Sequence, residues 1–154
     1  MQKQSSARTA RFARRVMGAV ALAWSVGVSA QQAMPVTELS SGIHLIRAEV
    51  AATPADRQRG LMFREAMGPG AGMLFVFDAP SQQCMWMRNT LIPLAVAFID
   101  DDGRIVNVEE MAPQTDATHC SAQPVRYALE MNAGWFTKRG IRPGAVIDGI
   151  ARKR

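Results

Sequence analysis

The apolar positions of this chain fall into short runs, most with a period near two, and few places carry the chemistry of a helix start. Ile43–Val50 puts Leu45, Arg47 and Glu49 on one side and His44, Ile46, Ala48 and Val50 on the other, which predicts a strand with one buried face. Met73–Phe77 is a continuous apolar run, suited to a strand buried on both faces. Cys84–Met87 reads as a further strand, with Met85 and Met87 on one side and Cys84 and Trp86 on the other. Leu94–Ile99 and Arg104–Val108 flank Asp101-Asp102-Gly103, the strongest hairpin signal in the chain. Val125–Met131 alternates again, and Gly144–Ile147 predicts a closing strand.

Helical punctuation is sparse. Thr53 can cap free amides, Pro54 suits the first helical position, Asp56 follows the cap by three residues, and Gly60 stops the helix early. Gly134–Arg139 reads as a short helix or turn. Three glycines and a proline between Met67 and Gly72 mark a turn, and residues 31–42 read as an extended leader into the domain. About six short strands with one or two short helices predict a β-rich α+β domain, built as a small rolled sheet or barrel.

Charge changes the picture at the N-terminus. Lys3, Arg8, Arg11, Arg14 and Arg15 precede residue 31, and no acidic residue occurs before Glu38. Removing those five from the 18 basic residues leaves 13 against 13 acids in residues 31–154, a neutral body without the basic excess that non-specific nucleic-acid binding requires. The early cations are followed by the apolar block Val16–Ala30, which is shorter than the roughly 20 residues needed to span a bilayer and ends in small residues. Residues 1–30 therefore read as a Sec-type signal peptide cleaved near Ala30, with an uncleaved membrane anchor as the lesser alternative. The expected location is periplasmic or secreted, without a stable membrane anchor after cleavage. Arg152-Lys153-Arg154 reads as a solvated basic tail.

In an oxidising compartment, Cys84 and Cys120 are most simply one structural disulfide, with a redox pair or a pair of metal ligands as the alternatives.

Four blocks in order carry a family resemblance: Thr53–Arg64, Gly72–Phe77, Trp86–Leu94 and Leu129–Trp135. Together they resemble the DUF192 family of small, often exported prokaryotic domains, over about residues 43–150. The resemblance implies a compact, mostly β fold and supplies no activity, cofactor or catalytic residue. Relatives commonly carry Asp where this chain has Ala95, and often where it has Ala145, so any chemistry performed by those acids is in doubt here.

Candidate functional residues follow from side-chain chemistry. Arg57, Arg59 and Arg64 could clamp a carboxylate or phosphate, while Trp86, Arg88, Asn89 and Thr90 lie at a predicted strand end where Asn and Thr could hydrogen-bond a ligand or satisfy a turn. The two groups become neighbours if the helix packs across the strand ends. Glu130 with Tyr127 or Trp135 could line a carbohydrate-like cleft. Met85, Met87 and His119 are the candidate ligands for Cu(I), a soft ion. Asp116, His119 and Ser121 are triad-like in composition, but triads are assembled from distant positions, and these read as a polar loop beside Cys120. The favoured expectation is a small binding or accessory module of the cell envelope, acting on an unidentified small ligand or envelope protein. No cofactor is expected, and a binding role is favoured over catalysis. A Cu(I)-binding protein and a hydrolase with an unplaced acidic site are the alternatives.

Overall fold

A computed structural model describes residues 33–150. The expected signal peptide and the basic tail lie outside the described residues. The first strand, β1 (Val36–Ser41), pairs antiparallel with β2 (His44–Ala51) across the turn at Gly42-Ile43. Part of the stretch that reads as a leader is thus an edge strand. Its polar residues hide it from periodicity, since only Leu39 and Ser41 are buried there.

The helix start behaves as its chemistry dictates. Thr53 accepts a hydrogen bond from the Asp56 amide, and α1 (Pro54–Arg59) ends at Gly60, which has φ 48°. The chain then enters β3 (Ala71–Ser81), which runs parallel to β2. β4 is only Cys84–Met85, because beyond Met85 the chain leaves the ladder. The predicted hairpin forms from β5 (Leu94–Ile99) and β6 (Ile105–Met111), its turn tied by Asp100, whose side chain accepts from the Asp102 and Arg104 amides. β7 (His119–Cys120) pairs with β4, β8 (Val125–Asn132) enters the main sheet, and α2 (Trp135–Lys138) follows.

The main sheet has the order β1-β2-β3-β8-β5-β6 and is antiparallel except between β2 and β3. It is rolled without closing into a barrel. The expected closing strand at 144–147 is replaced by two isolated bridges, Arg104 with Val146 and Ser40 with Asp148. Through them one short segment touches both β1 and the start of β6, the two edges of the sheet.

Apolar residues cover both faces. One core gathers Leu39, Ile46, Leu74, Tyr127, Leu129, Trp135, Phe136 and Ile147. The other gathers Leu61, Met73, Phe75, Met87, Val96, Phe98 and Ala128. All six residues of β5 are buried, which explains its unbroken apolar run. Ala95 is fully buried in the first core and Ala145 packs against it, so at both positions a small apolar side chain is absorbed by packing.

Cys84 and Cys120 sit directly opposite each other on β4 and β7 and form a disulfide. It closes a loop between residues 36 apart. In the chain-entropy treatment that closure stabilises the fold by roughly 3–4 kcal/mol. At Gly72 the approach of β3 to β8 is so close that an added Cβ would run into Met131 Sδ and lie 2.6 Å from the Glu130 carbonyl oxygen. Gly72→Ala is expected to destabilise the domain by about 2 kcal/mol or more through forced separation of the central strands. Denaturant titration checks it, and an unchanged midpoint would show that β3 and β8 are not held at this spacing.

Candidate functional site

Strand alternation places the central acid. On β8, Tyr127, Leu129 and Met131 point into the first core, so Ala128 and Glu130 point to the second. Glu130 is 4% exposed and lies between Met73 of β3 and Val96 of β5 in the ladder. Its neighbours Tyr127 and Trp135 belong to the opposite core, which corrects the expected pairing of Glu130 with those two aromatics. An odd separation along a strand reverses the face. Burial pushes the Glu130 carboxyl up to about 8, and among the described residues no hydrogen bond opposes the shift.

Two segments close over this acid. The end of α1 forms one wall, with Arg57, Arg59, Gly60, Leu61 and Met62. Arg57 is fastened by hydrogen bonds to the carbonyls of Ala52 at 2.5 Å and Val76 at 2.8 Å, and to Asp78 at 3.2 Å. Its guanidinium also lies 5.9 Å from the centre of the Phe77 ring. An added Cβ at Gly60 would approach the Phe75 ring to 3.3 Å, so glycine serves both the positive φ and the close fit of this wall. The other wall consists of Cys84, Met85, Trp86 and Thr90. A backbone bond from Phe63 to the Asn89 carbonyl, 2.8 Å long, ties the two walls together.

Between them is a cavity of about 270 Å³ with Phe75, Phe77 and Glu130 in its lining. The structure thus brings Arg57, Arg59, Trp86, Thr90 and Glu130 to one place. Arg64 does not line it. Its guanidinium makes a bidentate pair with Glu49, at 2.6 and 2.7 Å, and that hydrogen-bonded pairing holds the Glu49 carboxyl below its usual range. Arg88 also turns away, bonding Asp116 at 2.8 Å and lying 4.7 Å from the centre of the Trp86 ring. Asn89 sits at φ 59° in the neighbouring surface hollow with Phe63 and Gln114. A clamp of three arginines does not form, because Arg57 and Arg64 are committed to protein acceptors.

The remaining candidates fall elsewhere. Met87 is fully buried in the second core and Met85 packs against that core, while His119 lies opposite Met85 in the ladder. The disulfide takes both thiolates, and no group of three or more His, Cys, Asp or Glu side chains suited to a metal occurs among the described residues. Asp116 pairs with Arg88, and the Ser121 hydroxyl accepts the Gln83 amide at 3.0 Å. Both act as ties within the loops around the disulfide.

The Glu130 carboxyl binds its proton more tightly in the folded state than a free glutamate at its ordinary 4.5, so its contribution is full below about pH 4.5 and is lost as pH rises through about 8. Glu130→Gln keeps the shape without the ionisation. Its melting temperature is expected to change less between pH 5 and 8 than that of the wild type, and to be higher at pH 8 by about 5 °C or more. Parallel pH profiles for the two proteins, by calorimetry, would contradict the buried position.

A search of curated proteins returns no match. Several solved structures are similar. One, from Sinorhizobium meliloti and described as a "putative transcription regulator", is 36% identical, with a TM-score of 0.73 over 77% of this chain and 97% of its own. Another, a protein of unknown function from Novosphingobium aromaticivorans, is also 36% identical, with a TM-score of 0.69 over 79% of this chain and 89% of its own. The family model described as DUF192, an uncharacterized ACR, matches residues 36–149, spanning β1 through the segment that bridges the sheet edges. With its rolled sheet, two short helices and the four sequence blocks gathered around it, this chain belongs to the DUF192 family.

Proposed function

We propose that this domain is a small-ligand-binding module of the cell envelope, and that the ligand enters the cavity over Glu130. The observation that carries the reading is a buried carboxyl with no compensating hydrogen bond among the described residues, set in the lining of a cavity with three aromatic rings. A folded protein tolerates such a group when a function retains it. Pockets for small molecules combine an apolar lining with a few convergent polar groups, and here Glu130 and Thr90 supply them.

The cell-envelope part of the proposal is supported by the disulfide, which suits an oxidising compartment, and by the leader pattern of residues 1–30. Among the described residues no helix is long and apolar enough to cross a membrane. The Sinorhizobium protein is described as a transcription regulator, but a nucleic-acid-binding role is not favoured for this chain, because residues 31–154 carry equal numbers of acids and bases. The raised Glu130 carboxyl gives the hydrolase reading one point of support, since a neutral acid can act as a general acid. The cavity lining contains no second carboxylate or histidine to complete such a site. Copper binding through Met85, Met87 and His119 has no comparable support, since Met87 is fully buried in an apolar core.

Two measurements test the proposal. Protein isolated from the cell envelope is expected to have an intact mass beginning at Gln31 with no free thiol; a retained leader or two free thiols would refute the exported, bridged form. An NMR screen with small amines, acids and polyols is expected to shift the signals of residues 57–62, 86–90 and 130 together. A panel that leaves all of these unmoved would reject the ligand-site reading.

A further inference from the structure

Resting on the ligand-site reading above, we propose that the cavity takes a small molecule with a protonated amine on an apolar body, its ammonium group held against the Glu130 carboxylate. The charges around the cavity point to this choice. Arg57 already has Asp78 as its counter-ion, and Arg59 is attracted electrostatically to Glu49. Arg88 is paired with Asp116 and lies over the Trp86 ring. Arg57 and Arg88 thus have partner acids and Arg59 shares Glu49 with Arg64, whereas Glu130, the acid in the lining, has no hydrogen-bonded cation among the described residues.

The ladder adds a second observation. Glu49, Met73, Glu130, Val96 and Glu109 are successive partners across β2, β3, β8, β5 and β6, so three carboxyl groups stand in one row on the same face. Glu49 is satisfied by Arg64, and Glu109 accepts a hydrogen bond from Asn107 at 3.3 Å. Glu130, in the middle, has only Met73 and Val96 beside it in the ladder. An anionic ligand would meet this row unfavourably. A cation completes it, and the Phe75 ring, with the faces of Phe77 and Trp86 that Arg57 and Arg88 do not cover, favours positive charge.

Burial alone raises the Glu130 carboxyl; the charged groups around it are Arg57 and Arg59 at the end of α1 in the cavity wall, and Glu49 with Arg64 and Glu109 along its ladder row. Its ladder neighbours on β3 and β5 do not ionise. With its carboxyl raised to about 8, Glu130 holds a proton at neutral pH. Binding an ammonium group converts it to the carboxylate, and that proton leaves to solvent. One proton is released per ligand bound, so affinity rises with pH, approaching tenfold per unit below the carboxyl's own titration and levelling above it.

Benzylamine tests the assignment, with benzyl alcohol and benzoate as probes of the same ring but different charge. Calorimetry on disulfide-intact protein is expected to show benzylamine bound more tightly than either control. Its affinity should rise about twentyfold from pH 6 to 7.5, with proton release visible as a dependence on buffer ionisation heat. Glu130→Gln should weaken it at least tenfold while the protein stays folded, and Trp86→Ala, at an exposed residue outside both cores, should weaken it a few-fold. The amine assignment is overturned if benzoate or benzyl alcohol binds as well, if affinity falls with pH, if Glu130→Gln binds normally, or if benzylamine does not bind at millimolar concentration. In each of those cases the ligand-site reading is judged separately, by whether acids or polyols shift residues 57–62, 86–90 and 130.

Discussion

The structure depends on one constraint: its central strands are covered on both faces, so the two-residue period of a strand decides which core each side chain enters. From Tyr127 onward on β8, Tyr127, Leu129 and Met131 build the first core while Ala128 enters the second, and that leaves Glu130 facing the second. A carboxyl in the interior of a sheet is costly unless something compensates it. Shifting the register by one residue would exchange the faces of the whole strand, and the tight approach at Gly72 opposes such a slip. The position of the acid is therefore a property of the entire sheet.

The walls over Glu130 are held by interactions that do not involve it. Arg57 binds the chain on either side of it, at Ala52, Val76 and Asp78, so the end of α1 is anchored to β3 as well as to its own approach. The opposite wall is anchored by the disulfide at one end and by Thr90, whose carbonyl accepts the Gln114 amide, at the other. Because Arg64 pairs with Glu49 at a distance from the cavity lining, the turn after α1 is also fixed to β2. The cavity is thus framed before any ligand arrives, which lowers the ordering cost of binding.

Much of this was legible in the residues. The capped helix at Thr53, the two-faced burial of Met73–Phe77, the hairpin at Asp101–Gly103 and the pairing of the cysteines all rest on local chemistry, and the structure contains each of them. The meeting of the α1 turn with the Trp86–Thr90 segment was expected as well. What escaped was of two kinds. In β1 and at Glu109–Glu110 of β6, polar side chains at the sheet edges interrupt the apolar period. The bridges at Val146 and Asp148, and the separate commitments of Arg57 and Arg64, depend on partners far away in the chain. Glu130 lies between these cases, since its face could have been read from the parity of residues 127 and 130.

The segment that bridges the sheet edges also bears on how the chain acquires its fold. Ser41 bonds the carbonyl of Val146 across a sequence separation of 105 residues, and Ser40 and Asp148 exchange backbone bonds beside it. The first strand therefore finds its last partners only when nearly the whole domain has been made. A nascent chain on the ribosome lacks these contacts, and long-range closure of this kind slows folding. Late closure keeps the polypeptide unfinished until its C-terminal residues are available, so maturation follows synthesis.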